Sequence, residues 1–69
     1  MVSEKIQLIL VKRGMTKLAL ANKINWGSSK MYNRLKKDDF TESELKEIAD
    51  VLDCTLEINF KLNDTNEVF

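Results

Sequence analysis

Residues 15–35 read MTKLALANKINWGSSKMYNRL, and this stretch decides the fold that we predict. Thr16 is a residue type that caps helix N-termini, and an apolar stripe at helical spacing follows it. The stripe consists of Leu20, Ala21 and Ile24, and it stops at Asn25, a residue type that tolerates left-handed backbone in turns. The pattern predicts a short helix over residues 16–24.

A second helix is predicted directly after this one. Trp26 and Gly27 interrupt the stripe, and Met31 and Leu35 then resume helical spacing. We therefore expect a helix over residues 28–36. The connection between the two helices is only three or four residues long, which favours a near-perpendicular pair over antiparallel stacking.

The helix predicted before this pair covers residues 3–13 and ends at Gly14, with basic residues in its last turn. Leu8 and Val11 lie off its main apolar stripe, so we expect the helix to bury a second face as well. The main stripe consists of Ile6, Ile9 and Leu10.

The helix predicted after the pair covers residues 41–53. Thr41 and Glu44 stand at the spacing of a capping box, in which each side chain accepts a hydrogen bond from the other residue's backbone N–H. An apolar face follows, formed by Leu45, Ile48, Ala49 and Leu52.

The hydrophobic period changes from 3.6 to 2 after Thr55, where apolar and polar residues alternate as in a half-buried β-strand. We predict a strand over residues 55–62 and a possible return strand over residues 67–69. A lone hairpin is marginally stable, so its apolar face requires cover from the first helix, from another subunit, or from both. The fold class predicted for residues 1–69 is one mostly α domain of four helices with a C-terminal β-strand or hairpin.

Composition argues against an enzyme. A chain of 69 residues has little room for a spacious catalytic cavity, and it contains no His for general-base catalysis or metal binding. Its only cysteine, Cys54, has no partner for a disulfide or a metal site. No apolar run reaches the length of a membrane span. We expect a cytoplasmic, non-enzymatic protein without cofactor or metal.

Charge is divided unevenly along the chain although the formal net charge is zero. Residues 1–37 contain nine Lys or Arg and one acid, a balance of +8, and residues 38–69 contain two Lys and ten acids, a balance of −8. Such asymmetry is typical of proteins that contact a polyanion through one face. The alternative is that the two halves neutralise each other within the fold.

The stretch quoted above resembles the helix-turn-helix of the phage Cro and repressor family of DNA-binding proteins. The resemblance rests on Thr16 at the cap, Asn25 at the turn, the apolar Trp26 after it, and the apolar positions Leu20, Ala21 and Met31. It extends over about residues 3–53. This sequence departs from the family pattern at Lys17, where Gln is most frequent, at Asn25, where Gly is usual, and at Gly27, where Ser or Thr usually caps the helix.

The resemblance implies that residues 28–36 form a recognition helix that enters the major groove of DNA. Helical geometry gives an independent criterion, because at 100° per residue the side chains of Ser29, Asn33 and Lys36 lie opposite Met31 and Leu35. The base-contact candidates are Ser28, Ser29, Lys30 and Asn33. The phosphate-contact candidates, in part implied by the resemblance, are Thr16, Lys17, Arg34, Lys36 and Lys37.

Ser28 and the two nearby aromatic residues, Trp26 and Tyr32, are considered separately from the DNA-contact candidates. Ser28 is equally well explained as a helix cap, and Trp26 is expected in an apolar core position rather than on a base. The sequence assigns neither a core position nor a DNA contact to Tyr32.

Two functions of different class are compatible with the sequence. The first is a sequence-specific, double-stranded-DNA-binding repressor of phage or mobile-element type, acting by operator occupancy as a homodimer, with residues 55–69 as the candidate interface. The second is a protein-interaction module, such as an antitoxin or anti-repressor subunit, which would use the acidic half and the strand edge.

Overall fold

A computed structural model describes all of residues 1–69 and shows a small, mostly helical domain without a β-sheet. Its four helices, numbered in chain order, are α1 (Val2–Arg13), α2 (Lys17–Ile24), α3 (Ser28–Lys37) and α4 (Glu42–Val51). The prediction of four helices is confirmed. None of the helices is both long and apolar enough to cross a membrane.

Local backbone chemistry sets the helix ends. Gly14 ends α1 and Asn25 ends α2, both in the left-handed conformation, with φ of 64° and 65°. The Thr16 hydroxyl caps α2 by accepting a hydrogen bond of 3.0 Å from the Ala19 N–H. The capping box predicted for α4 is present, with Thr41 as the cap and Glu44 reaching back to the Thr41 N–H at 2.9 Å.

All four helices contribute to one hydrophobic core, in which Leu20 of α2 and Met31 of α3 are completely buried. Burial of these two side chains fixes which faces of α2 and α3 point inward, because the helical period leaves little freedom once two or three positions are buried. The core consists of Ile6, Leu10, Leu20, Ala21, Met31, Leu35, Ile48 and Leu52.

The second buried face predicted for α1 is absent. Leu8 is 70% exposed and Val11 80% exposed. The prediction was wrong because α1 packs on the core through the stripe of Ile6 and Leu10, and no other element covers its opposite side.

The N-terminus of α1 is tied to the C-terminus of α3 by polar contacts. The buried Ser3 hydroxyl donates to the Leu35 carbonyl at 2.7 Å, and the Ser3 N–H donates to Asp38 Oδ1 at 2.9 Å. Asp38 is the residue at which α3 ends, in the left-handed conformation. The acidic link after α3 therefore also anchors α1.

The strand predicted over residues 55–62 is not confirmed. Residues 55–59 take part in none of the backbone hydrogen bonds, and the only bridge is an antiparallel one between Lys61 and Val68. Phe60 exchanges two hydrogen bonds of 2.7 Å with Phe69, so the chain does return over residues 67–69. We call residues 60–69 the C-terminal hairpin.

The predicted half-burial of this segment was also wrong, since Phe60 is 73% exposed and Ile58 and Leu62 are exposed as well. The helical core is complete without them. A regular strand requires a neighbouring strand along its length, and only the last three residues of the chain pair with it.

Candidate nucleic-acid interface

Helices α2 and α3 are joined by a tight turn of three residues, 25–27. The Trp26 N–H donates to the Ala21 carbonyl at 2.9 Å, which closes the end of α2. Gly27 precedes α3 with φ −66° and ψ 150°, and no side chain caps the helix there. Ser28 is the first residue of α3 and makes no capping hydrogen bond, so the interpretation of Ser28 as a cap is wrong.

The outward face of α3 is the side opposite Met31 and Leu35, which are buried. Ser29, Asn33 and Lys36 lie on this face, and all three are exposed. None of their side chains has a hydrogen-bond or ion-pair partner in the chain; the side-chain contacts of α3 are all made by other residues. The geometry therefore brings together three of the predicted contact residues.

One edge of this face is formed with the start of α2. The Lys17 ammonium nitrogen lies 5.9 Å from the centre of the Tyr32 ring, within the range of a cation–π interaction. Tyr32 is nearly half exposed. Lys17, a predicted phosphate-contact residue, and Tyr32, which had no assignment, are thus neighbours beside the outward face.

The other edge is formed with α4 and centres on Glu44. The single N–H at Arg34 Nε donates a bifurcated hydrogen bond to both carboxylate oxygens of Glu44, at 3.1 and 3.2 Å. The carboxylate also lies 3.5 Å from the Lys30 ammonium nitrogen. Arg34 also approaches Asp39, with 4.0 Å between Nη1 and Oδ1. Lys30 and Arg34, both predicted to contact DNA, are therefore drawn towards α4 and away from the outward face.

The environment of Glu44 stabilises its charged form. The Thr41 backbone N–H donates to the carboxylate and lowers the pKa of Glu44 from 4.5 to about 2, with further lowering by the Arg34 hydrogen bond and by the charges of Arg34 and Lys30. Burial acts in the opposite direction but is outweighed. Glu44 is thus an anion at neutral pH.

Trp26 lies partly buried against the core, in agreement with its expected core position. Its indole Nε1–H donates to Glu47 Oε2 at 3.1 Å, and the Lys30 ammonium nitrogen lies 4.2 Å from its ring centre. Lys30 is therefore held between Trp26 and Glu44.

The remaining predicted residues lie near the two ends of the outward face. Ser28 is exposed at the start of α3, Lys37 is exposed at its end, and Thr16 is exposed at the start of α2, where its hydroxyl serves as the cap. Neither Lys36 nor Lys37 pairs with a carboxylate; the four ion pairs of the chain involve Lys30, Arg34 and Lys46 only.

Sequence reasoning missed the contacts of Glu44 and Tyr32. The capping-box spacing identified Glu44 as a partner of the α4 backbone but gave no sign that its carboxylate also reaches α3. One signal was available for Tyr32, because it stands one position before Asn33 and off the buried stripe of Met31 and Leu35.

No family model, curated protein or solved structure matches this chain.

Proposed function

We propose that this protein binds double-stranded DNA in a sequence-specific manner through the outward face of α3. The observation that carries the proposal is the set of three exposed side chains without intramolecular partners, Ser29, Asn33 and Lys36, on a helix whose opposite side is locked into the core. An α-helix of this kind fits the major groove, where the base edges present a distinct pattern of donors and acceptors.

The three side chains have the chemistry that base readout requires. The Asn33 amide can both donate to and accept from an adenine edge, Lys36 can donate to guanine, and Ser29 can donate or accept. Asn33 lies at the centre of the face, directly opposite the buried stripe, and is the residue to which we assign sequence readout.

Phosphate contacts are assigned to the two ends of this surface. Thr16 and Lys17 lie at the start of α2, and Lys37 lies at the end of α3 with no carboxylate partner. Contacts of this kind fix the register of a protein on the duplex and supply most of the affinity. Lys30 and Arg34 are assigned the role of holding α3 against α4 through Glu44, and no DNA contact is assigned to them.

The resemblance of residues 3–53 to the phage Cro and repressor family supports the same function and adds a role for it. We propose a repressor that acts by occupying its operator, with α2 and α3 as the helix-turn-helix. The alternative, a protein-interaction module such as an antitoxin or anti-repressor subunit, is supported by the exposed apolar side chains of the C-terminal hairpin.

Selection of bound duplexes from a random pool tests the proposal, because a sequence-specific binder enriches one motif. On that motif, Asn33→Ala is expected to weaken binding by roughly 1–3 kcal/mol while leaving binding to random DNA unchanged. Asn22→Ala is the matched control, since Asn22 is an exposed residue of α2 without side-chain partners. Failure to enrich any motif would contradict sequence-specific binding, and equal losses on both DNAs would remove Asn33 from base readout.

A further inference from the structure

Tyr32 lies at the border between the outward face of α3 and its buried stripe. Successive helix residues are about 100° apart, so Tyr32 is about 100° from Asn33 at the centre of the outward face. Its side chain is nearly half exposed. The Tyr32 hydroxyl has no partner within the chain, because the side-chain hydrogen bonds of α3 all come from Arg34. Tyr32 therefore offers an unused donor at one edge of the face.

A helix that enters the major groove directs its flanking side chains towards the walls of the groove. The groove is about 12 Å wide and a helix with its side chains is about 10–12 Å in diameter, so the fit is close. Side chains at roughly a right angle to the outward direction then meet the sugar-phosphate backbone rather than the base edges. Tyr32 has this angle on the side of α2, and Arg34 has it on the side of α4.

The two flanks of α3 differ in the charge that they offer to a phosphate. On the α4 side, Arg34 and Lys30 already have an anion, because both contact the carboxylate of Glu44. On the α2 side, Lys17 forms no ion pair, and its ammonium nitrogen lies 5.9 Å from the centre of the Tyr32 ring. The flank that carries Tyr32 is thus the one with an unpaired cation beside an unused hydroxyl.

We propose that the Tyr32 hydroxyl donates a hydrogen bond to a phosphate oxygen of the DNA strand that Lys17 contacts. The contact rests on the DNA-binding function proposed above and adds a residue to its interface. An ionised phosphate oxygen is a strong acceptor, and a hydrogen bond from a hydroxyl to such an oxygen is roughly twice as strong as one between neutral groups. Lys17 draws the same strand towards the ring by its charge.

A phosphate contact made by a neutral side chain has a signature of its own. It adds affinity without sequence preference, because the phosphates are alike along the duplex. It leaves the salt dependence of binding unchanged, because only a cationic side chain releases a counterion when it neutralises a phosphate. Tyr32 should therefore differ from Asn33, which is assigned to a base, and from Lys17, which carries a charge.

Removal of the hydroxyl alone tests the contact in the full-length protein. Tyr32→Phe keeps the ring beside Lys17 and is expected to raise the dissociation constant about tenfold, by the same factor for a random-sequence duplex and for the selected motif. The slope of log K against log salt concentration should stay that of the wild type. Fluorescence anisotropy over a series of salt concentrations measures both quantities.

Thr55→Val is the matched control, because it removes an exposed hydroxyl that also has no partner, on the segment that borders the groove between α1 and α4. It is expected to bind both duplexes as the wild type does. Urea unfolding should give the wild-type midpoint for Tyr32→Phe, since the lost hydroxyl has no partner in the folded chain.

The outcomes separate the Tyr32 contact from DNA binding itself. If the wild type binds DNA and Tyr32→Phe binds equally well, the contact is overturned and the DNA-binding function stands. A loss confined to the selected motif would also overturn the contact, because Tyr32 would then read a base. A wild-type protein that binds neither duplex would overturn both proposals.

Neutral linkages in the duplex locate the phosphate. A methylphosphonate linkage carries a methyl group in place of one charged phosphate oxygen, so a set of duplexes with one such linkage each removes the phosphates one at a time. At one linkage the losses from the methylphosphonate and from Tyr32→Phe should fail to add, which identifies the contacted pair. Lys17→Ala should show the same behaviour at that linkage or the next one on the same strand. Additive losses at every linkage, or coupling on the opposite strand, would contradict the proposal.

Discussion

The carboxylate of Glu44 receives contacts from helix α3 and from the cap of its own helix, α4. It accepts from the Thr41 N–H at the start of α4 and from Arg34 Nε on α3, and Lys30 of α3 lies 3.5 Å away. Its side chain is only 11% exposed. Charge-assisted hydrogen bonds in such a sheltered position are stronger than surface ion pairs, so Glu44 fixes the position of α3 relative to α4.

Acid is expected to weaken the fold through this carboxylate. The pKa of Glu44 is about 2 in the folded protein, below its ordinary value of 4.5, so its contribution to stability is complete above pH 4.5 and is lost as the pH falls towards 2. After allowance for solvent screening we expect that contribution to be about 1–2 kcal/mol. Urea unfolding followed by the fluorescence of Trp26 measures it: Glu44→Gln should lower the free energy of unfolding at pH 7, and the difference from wild type should shrink by pH 2.

Glu42→Gln is the control for this prediction, because Glu42 lies in the same first turn of α4 and its pair with Lys46, at 3.9 Å, is exposed. It is expected to change stability by less than about 0.5 kcal/mol at either pH. A Glu44→Gln variant with the same pH dependence as the wild type would contradict the role assigned to Glu44.

For individual residues, the sequence predicted contacts with near neighbours along the chain but not contacts with residues on other helices. The spacing of Thr41 and Glu44 predicted the capping box, which the structure contains. The same spacing could not show that Glu44 also binds Lys30 and Arg34, because that contact depends on how α3 and α4 pack. The predicted DNA contacts of these two cations rested on charge and position along α3 alone.

The turn between α2 and α3 determines how α3 is presented. Asn25 has φ 65°, a conformation that residues with a Cβ adopt at a cost and that Asn tolerates better than most. This left-handed residue ends α2 and lets Trp26 enter the core edge before α3 begins. The orientation of the candidate recognition surface therefore depends on one backbone conformation.

Replacement of Asn25 is expected to change the free energy of unfolding according to how well the introduced residue tolerates left-handed backbone. Asn25→Ala should lower the free energy of unfolding by about 1 kcal/mol, because alanine lacks the tolerance of asparagine for left-handed backbone. Thermal or urea unfolding measures this change. Asn25→Gly is the control, since glycine adopts the conformation freely, and it should leave stability within about 0.5 kcal/mol of the wild type. Equal losses for both variants would show that the side chain of Asn25, not its φ, matters.

Helices were predictable because their signals are local, whereas the C-terminal segment was not. Thr16, Asn25 and Thr41 mark helix ends by their own backbone and side-chain chemistry, and the ends lie within one or two residues of the predicted positions. The alternation of residues 55–62 indicated a strand, but a strand depends on a neighbour that the sequence does not specify. In the single chain that neighbour is present only for residues 60–62.

Across the whole molecule, most cations of the basic half, residues 1–37, form no ion pair with carboxylates of the acidic half, residues 38–69. Only Lys30 and Arg34 of its nine cations form ion pairs with carboxylates. Mutual neutralisation of the two halves, the alternative explanation of the charge asymmetry, therefore applies to a minority of these cations. Of the other seven, Arg13 donates hydrogen bonds to the Leu52 and Asp53 carbonyls, at 3.1 and 3.2 Å. The remaining six form no ion pair, and Lys17 and Lys37 are the two of them assigned to phosphates.

The homodimer expected from the sequence would add a constraint on the DNA site. Two copies related by a twofold axis would present two α3 helices to one duplex, and the operator would then be a palindrome with half-sites about one helical turn apart. A palindromic motif from selection would agree with binding by a homodimer, and a single half-site would agree with binding by the monomer.

The most direct test of DNA binding is the salt dependence of binding to a labelled random-sequence duplex, measured by fluorescence anisotropy. We expect binding at low salt with a slope of log K against log salt concentration of about −3 or steeper, because several phosphates are neutralised. Lys17→Ala and Lys37→Ala should each reduce the slope by about 1, while Lys46→Ala on α4 should not change it. Absence of binding even at low salt would contradict the account and favour the protein-interaction module.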